Sequence, residues 1–264
     1  MTIVALSTFA TGVLTQELNI NVISENIANS NTTAYKAQRA IFQTIAYDTK
    51  DVGSQTATDG SINPNGMQIG HGVRTAGTVR IMEQGGIQIT DRPLDLLING
   101  DGFFQIELPN GETAYTRAGN FVVGPEGYLE TIQGYKVLPN ITIPPQASEI
   151  SINAQGQVFV RINNEAQGQE IGTLEITTFI NPPGLAAMGD NLFRETPASG
   201  QPLNGIPGTD NFGSLMQGAL ENSNVKPIIA MTDLMAAQRA HGMNIEGMKK
   251  TDEMLQQTTR ILNT

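Results

Sequence analysis

The sequence predicts an α+β protein, with terminal α-helices that form a coiled-coil-like helical domain and a central antiparallel β-rich domain of the sandwich or barrel type. Apolar residues recur at alternating three- and four-residue steps near both ends of the chain, and short β-like segments separated by turn residues fill the middle. A 3–4 spacing lays an apolar stripe along one helix face, which another helix must cover. Short strands at regular spacing are typical of an antiparallel sandwich or barrel.

The first helix is predicted from about Thr2 to Asn29 and ends in a run of Asn, Ser and Thr residues, whose side chains favour caps and turns. The last helix begins after Asn224, with Pro227 in its first turn. We expect the two stripes to form an assembly interface, because stripes at both extremes of one chain suit a subunit that packs against its neighbours. The predicted interface residues are Ile3, Leu6, Val13, Ile20, Ile27, Met231, Leu234, Ile245, Met248, Leu255 and Leu262.

Polar residues interrupt both stripes. Glu17 and Ser24 in the first helix, and Gln238 and Asp252 in the last, fall on core-type positions of the heptad. Buried polar residues at such positions weaken an isolated helix pair but can fix its register and its partner. We therefore expect the terminal helices to be weakly ordered in a free monomer and to fold on assembly.

A polar segment separates the first helix from the strands. Asp48–Asn65 consists mostly of Thr, Asp, Gly, Ser, Gln and Asn, so it buries too little apolar surface to offset the entropy of ordering it. It is predicted to be a loop or an extended arm that neighbours order. The predicted domains are a terminal-helix assembly domain at 1–34 and 222–264, an extended arm or linker with the polar insertion at 35–81, and a β-rich outer domain at 82–221.

From residue 68 the pattern becomes β-like. Asn110-Gly111, between Leu108 and Tyr115, is among the strongest short hairpin signals, because both central residues tolerate positive φ. Further strands are predicted at 121–123, 128–131, 141–143, 150–152, 158–162 and 174–179.

The composition argues against several classes of function. The net charge of −10 and the pI near 4.6 count against nucleic-acid binding, which needs clustered Lys and Arg. The absence of Cys excludes disulfides and thiolate metal sites. Residues 1–34 contain no Lys or Arg for a signal peptide, and no stretch approaches the roughly 20 apolar residues of a membrane helix. These features predict a cytoplasmic protein, unless the chain leaves by a route that needs no cleaved signal.

No residue pattern indicates catalysis, a cofactor or a metal site, so we do not expect an enzyme. His71 lies between two glycines and His241 lies on the last helix, and neither has a nearby His or Cys to complete a metal site. Gly66–Gly72 lacks the Lys and the helix that follow a phosphate loop. Asn99–Gly102 has too few carboxylates for a calcium loop and is interpreted as a turn.

Three strings resemble motifs of the rod and hook proteins of the bacterial flagellum. They are Ser24–Lys36 at the end of the first helix, Leu97–Phe104 with Tyr115–Phe121 in the β region, and Glu221–Val225 before the last helix, followed by Met254-Leu255 within it. The matching motif residues are Asn26, Ala28, Asn29, Thr32, Tyr35, Lys36, Gly100, Gly102, Phe103, Phe104, Tyr115, Thr116, Arg117, Ser223, Asn224 and Val225. Ala34 departs from the pattern, because the family often has Gly there, and Ala would be strained if the position is left-handed.

The resemblance implies a structural subunit without enzymatic activity. The segment 45–74 is similar to the insertion found in distal-rod members of this family, which build the shaft that carries torque from motor to hook across the periplasm. The resemblance further implies self-association into a helical tube, with the terminal helices lining the core and the β domain outside. The implied partners are proximal rod and hook subunits, the surrounding basal-body rings and the flagellar type III export apparatus, with no nucleic acid and no membrane insertion.

Two alternatives stay open. One is a proximal rod or short hook subunit of the same family, which the packing of the polar insertion in an assembly would distinguish. The other is a β-rich glycan-binding module with helical oligomerisation arms. Glycan sites usually present exposed aromatic rings, whereas aromatic residues make up 5% of this chain and Trp is absent.

Overall fold

The computed structural model describes residues 2–51, 67–162, 168–209 and 211–262. Helix α1 (Thr2–Ala28) begins the chain and helix α2 (Pro227–Leu262) ends it. The strands are β1 (Gln38–Thr44), β2 (Tyr47–Asp51), β3 (Met67–Gly70), β4 (Val73–Arg80), β5 (Ile87–Ile89), β6 (Leu96–Asn99), β7 (Phe103–Glu107), β8 (Thr113–Thr116), β9 (Val122–Val123), β10 (Leu129–Glu130), β11 (Lys136–Leu138), β12 (Ala147–Ile152), β13 (Gln157–Ile162), β14 (Gln169–Thr173), β15 (Ile176–Thr178), β16 (Ala186–Gly189), β17 (Leu192–Arg194), β18 (Leu203–Gly205), β19 (Ser214–Gln217) and β20 (Ala219–Glu221). A single 3₁₀ turn among these residues covers Pro182–Gly184. This order confirms the predicted α+β class, with helices at both ends and antiparallel strands between them.

The chain divides into two compact units. The first comprises residues 1–28, 38–79 and 226–264, and the second comprises residues 29–37 and 80–225. The predicted domain boundaries, which place residues 35–81 in a separate linker, remain a prediction. Of the predicted arm Asp48–Asn65, only residues 48–51 fall within the described chain, where they belong to β2 and pair with β3.

In the first unit, α1 and α2 pack against each other in antiparallel directions. Gly12 of α1 faces Asn244 of α2, and Phe9 of α1 lies against Gly247 of α2. A step back along α1 therefore corresponds to a step forward along α2. The amide of Asn26 fixes the end of α1, because it donates to the Gln38 carbonyl at 2.7 Å and accepts from the Gln38 N–H at 2.8 Å. Strand β1, which begins at Gln38, pairs with β4.

The heptad register inferred from the sequence is wrong. Glu17, Ser24, Gln238 and Asp252 are all exposed in the structure. The residues buried in their place are mostly small or hydroxyl-bearing, namely Thr15, Val22, Asn26, Ala237 and Thr251. The Thr15 and Thr251 hydroxyls donate to backbone carbonyls of the preceding turn, so their burial leaves no polar group unpaired. Glycines and other small residues form the contact between the two helices. The spacing of large apolar residues does not reveal which small residues form this contact.

The second unit is built around a sheet in which β16, β17, β8, β7, β11, β10 and β9 follow one another, with β15 pairing to β7 and β18 to β15. The predicted hairpin at Asn110-Gly111 is confirmed, because β7 and β8 pair antiparallel across it. The strand predicted at 141–143 is wrong: Thr142 makes only an isolated bridge to Tyr128. The main core residues are Leu96, Ile98, Phe104, Ile106, Phe121, Val137, Leu174 and Ile176.

Candidate functional site: a buried junction and the faces of the helical pair

The three sequence motifs converge on one carboxylate inside the second unit. Lys36, from the first motif, has a side chain with 0% exposure, and its Nζ lies 2.6 Å from Glu221 Oε1. Arg117, from the second motif, donates through Nε to Glu221 Oε2 at 2.7 Å. Glu221 itself opens the third motif. Residues separated by 104 and 185 positions in sequence therefore form one buried ionic cluster.

Backbone carbonyls occupy the rest of the Arg117 guanidinium. Nη2 donates to the carbonyls of Gly100 at 2.6 Å and Ile98 at 3.2 Å, and Nη1 donates to the carbonyl of Gly102 at 3.1 Å. Gly100 and Gly102 have φ values of 111° and 149°, which favour glycine. The turn predicted at this motif thus presents its carbonyls to Arg117, and sequence reasoning gave no sign of that partner.

Asn224 joins its own segment to two other backbone segments beside the ionic cluster. Its side chain accepts from the Ala37 N–H at 2.7 Å and donates to the carbonyls of Ile81 at 2.7 Å and Glu83 at 3.1 Å. Lys36 Nζ also donates to the Glu83 carbonyl, at 2.7 Å. All of these residues belong to the second unit, so these hydrogen bonds join segments of that unit to one another.

We call the ionic cluster of Lys36, Arg117 and Glu221 the junction. In the junction, burial disfavours the charged form of each group, whereas pairing with opposite charges favours it. Burial on its own would raise the pKa of the Glu221 carboxyl, but Arg117 and then Lys36 outweigh it and hold that pKa below its usual range. Burial and the charge of Arg117 lower the pKa of the Lys36 ammonium, although Glu221 acts in the opposite direction. A buried charge that loses its partner is strongly destabilising. The junction therefore permits one arrangement of its three segments and penalises others.

The junction is not suited to catalysis. Its cations are buried and occupied by protein acceptors, so they present no open position to a substrate. Within the described ranges, no group of three or more His, Asp or Glu side chains is arranged to hold a metal ion. His241 is half-buried on α2, and His71 lies beside α1 within the first unit.

The remaining motif residues have structural positions. Ala34 adopts a φ of 56° and is buried, so it does occupy the left-handed conformation considered for it. Phe104 meets Phe121 edge to face at 5.0 Å between ring centroids in the main core, whereas Phe103 packs with Phe179 and Phe193 in a second cluster. Three further motif residues make hydrogen bonds: Thr32 donates to Asn29, Thr116 donates to the Asn191 carbonyl, and Ser223 accepts from the Val225 N–H. Tyr35 and Tyr115 are buried, whereas Ala28 is exposed at the end of α1.

The predicted interface residues divide into half-buried and exposed positions. The half-buried ones are Leu6, Val13, Ile20, Ile27, Leu234, Ile245, Met248 and Leu255. Met231 is exposed, and the side chains of Ile3 and Leu262 lie outside the part that the structure describes. Their role in assembly remains a prediction.

A second set of exposed apolar residues on α2 lies outside the predicted interface residues. Ile228, Ile229, Met235, Met243, Met254 and Ile261 are all exposed, as is Leu14 on α1. Adjacent apolar pairs such as Ile228-Ile229 were the available signal, because one stripe cannot accommodate both members of a pair. The helical pair thus carries more apolar surface than its own packing covers.

Neither described helix is long and apolar enough to cross a lipid bilayer.

Three family models match separate parts of the chain. The model described as "Flagella basal body rod protein" matches residues 6–36, "Flagellar hook protein FlgE/F/G D1 domain" matches 97–160, and "Flagellar basal body rod FlgEFG protein C-terminal" matches 216–261.

Curated relatives match over almost the full length. The flagellar basal-body rod protein FlgG of Caulobacter vibrioides is 47% identical, with 97% of this chain and 98% of that protein covered. FlgG of Bacillus subtilis is 38% identical over 93% of this chain and 94% of its own length. The hook-basal body complex protein FlhP of the same organism is 32% identical over 89% and 91%.

Proposed function

The chain belongs to the family of flagellar basal-body rod proteins and is a structural rod subunit, and we propose that it builds the distal rod as a helical tube that transmits torque from motor to hook. The observation that carries this proposal is the similarity to FlgG proteins along the whole chain, including both helices and the β region. A family assignment that rested on the β domain alone would leave the assembly elements unexplained.

The exposed apolar residues of α2 support polymerisation. Met243 is 65% exposed, Met254 is 52% exposed and Met235 is 49% exposed. Burying such a side chain contributes about 1.5–3 kcal/mol, so neighbouring subunits that cover this face gain stability. Met side chains adapt to irregular surroundings, which suits a surface that meets several non-identical neighbours.

The junction supports a stiff second unit. A shaft under torque must resist deformation within each subunit, and a buried ion cluster with fixed carbonyl partners resists displacement of its own segments because displacement leaves charges unpaired. The proposed partners are neighbouring copies, proximal rod and hook subunits, the surrounding rings and the type III export apparatus. We place the protein in the rod across the periplasm, reached without a cleaved signal peptide.

The alternative of another axial subunit is less well supported. Within Bacillus subtilis, the chain is 38% identical to FlgG and 32% identical to FlhP, so its sequence favours the FlgG type. The alternative of a glycan-binding module has no observation in its favour beyond the β-rich fold.

Electron microscopy of basal bodies isolated from the organism tests the proposal. With the gene deleted, we expect basal bodies that lack the distal rod and the hook, and a tagged copy of the chain should restore both and label the distal segment. Complete rods and hooks in the deletion strain, or a label on the proximal segment or the hook, would contradict it.

A further inference from the structure

An apolar pocket lies on the first unit between α1 and the β2–β3 hairpin. Its volume is about 360 Å³, and Val4, Ala5, Thr8, Phe9, Asp48, Ile69, Gly70 and His71 line it. The turn after β3 is held on α1, where the Thr11 hydroxyl accepts from the Val73 N–H at 3.4 Å. Apart from Asp48 and His71, the lining offers little polarity, so an apolar protein segment fits it better than a polar one.

A complementary apolar surface lies at the start of α2. Ile228 and Ile229 are 83% and 55% exposed, and the exposed Pro227 precedes them. Lys226 is exposed beside them. The N-terminus of a helix of 36 residues carries a partial positive charge, so this surface is both apolar and positive. Asp48 is among the residues that line the pocket, and its negative charge complements that positive charge.

The two surfaces lie at opposite ends of the helical pair. Phe9 lies against Gly247, and Gly12 faces Asn244, so α2 runs antiparallel to α1 and its first turn lies near the last turn of α1. The pocket lies at the first turns of α1 instead. About twenty residues of helix separate them, which is roughly 30 Å. A single copy therefore cannot place Ile228 in its own pocket.

We propose that the pocket beside Val4 and Ile69 receives the Lys226–Ile229 start of α2 from a second copy of this chain. This inference rests on the proposed function. Because the two surfaces differ and lie at opposite ends of one element, the contact is heterologous and adds subunits head to tail. Such a contact extends a filament when its rotation does not close a ring. The polar composition of residues 52–66 makes that segment a poor occupant of an apolar pocket.

Disulfide cross-linking tests the contact directly, because the natural chain has no Cys. Cells would express the variant that combines Ile228→Cys with Ala5→Cys, and isolated basal bodies would be oxidised and separated without reductant. A disulfide forms only when the two Cα atoms are within about 7 Å, so the proposal predicts a ladder of dimers, trimers and longer species. Each single variant should stay monomeric. The matched control combines Ile228→Cys with Leu14→Cys, which is exposed on α1 about 13 Å further along the helix, and should also stay monomeric.

The outcomes separate this inference from the proposed function. Absence of the wild-type chain from isolated basal bodies overturns the proposed function and this inference with it. Presence of the chain in rods, with a monomeric double variant or a ladder in the Leu14 control, overturns only the inference. Dimers of the Ile228→Cys single variant would show a symmetric contact and contradict it equally.

If the cysteine variant does not assemble, exchanging the charges at positions 226 and 48 tests the same contact. Lys226→Glu should reduce the amount of chain in basal bodies at least tenfold, and adding Asp48→Lys should restore it. Failure of the second change to restore assembly, or normal assembly of the Lys226→Glu variant, would overturn the proposal.

Discussion

At the scale of residues, one carboxylate determines how three distant motifs meet. Glu221 accepts from Lys36, from Arg117 and from the Gly85 N–H at 2.8 Å. The sequence showed each motif but not their meeting, because no local pattern relates residues 104 positions apart. Asn99–Gly102 was recognised as a turn from its glycines, whereas its role as the acceptor of a guanidinium depends on tertiary packing. Ion pairs of this kind become visible only when the fold is known.

Replacing Glu221 with Gln should destabilise the second unit by about 3 kcal/mol or more, because two buried cations lose their counter-charge. The midpoint of urea unfolding, followed by tyrosine fluorescence, measures this. Glu126→Gln is the matched control, since Glu126 pairs with Lys136 at 2.8 Å but on the surface, and it should change the midpoint little. Equal midpoints for the two variants would show that the junction contributes no specific stability.

The same carboxylate should make stability depend on pH. The pKa of Glu221 lies below its ordinary value of 4.5 in the folded protein, so its contribution is present above that value and is lost as the pH falls through the folded pKa. The wild-type protein should therefore lose more unfolding free energy between about pH 5 and pH 3 than the Glu221→Gln variant. Parallel pH profiles of the two proteins in urea titrations would contradict this.

Ala34 offers a test of backbone strain. Its φ of 56° costs an L-residue about 1–2 kcal/mol, while its buried methyl contributes about 0.8 kcal/mol. Ala34→Gly should therefore leave the free energy of unfolding unchanged or raise it by up to about 1 kcal/mol. Ala114→Gly is the control, because Ala114 is buried in β8 outside the left-handed residues and should lose stability. Similar losses in the two variants would show that Ala34 is not strained.

At the scale of elements, both terminal helices and the β7–β8 hairpin followed from the sequence, whereas the register of the helical pair did not. Heptad counting placed Glu17 and Asp252 at core positions, yet both are exposed. The helices instead approach each other at Gly12 and Gly247, and Ala237 is buried on α2. Small residues carry a weak hydrophobic signal, so periodicity of large apolar residues could not reveal this contact. With those polar residues outside the interface, their placement no longer argues for weakly ordered helices.

Two glycines of α2 distinguish packing from helix propensity. Gly242 faces open space, so Gly242→Ala should stabilise the helical unit by about 1 kcal/mol through propensity. A methyl at Gly247 would lie 2.5 Å from Cε1 of Phe9, so Gly247→Ala forces that ring to move and should gain nothing or lose about 1–3 kcal/mol. Thermal unfolding monitored by circular dichroism at the helical band compares them. An equal gain in both variants would show that α1 does not pack at Gly247.

At the scale of the whole molecule, the two units have different sources of stability and different proposed tasks. The second unit has two apolar core clusters and a buried junction. The first unit leaves Ile228, Met243 and Ile261 exposed, so part of its apolar surface is available to other copies. The first unit combines both helices with residues 38–79, and the boundaries of the two units interleave in sequence because they depend on contacts between distant segments.

The polar segment Asp48–Asn65 overlaps strand β2, which limits how its role in assembly can be tested. Residues 48–51 belong to β2 and pair with β3, so a deletion of the whole segment Asp48–Asn65 would remove a strand. Replacing only residues 53–64 with a short Gly-Ser linker should leave both units folded, because surface loops tolerate changes of length at little cost in free energy.

If the arm is pinned between subunits and restricts their sliding, rods with this replacement should be more flexible than wild-type rods. Their curvature and persistence length in electron micrographs measure this effect. A linker of the original length made only of Gly and Ser is the control that separates composition from length. Straight rods of unchanged stiffness in both variants would show that the segment does not bridge subunits.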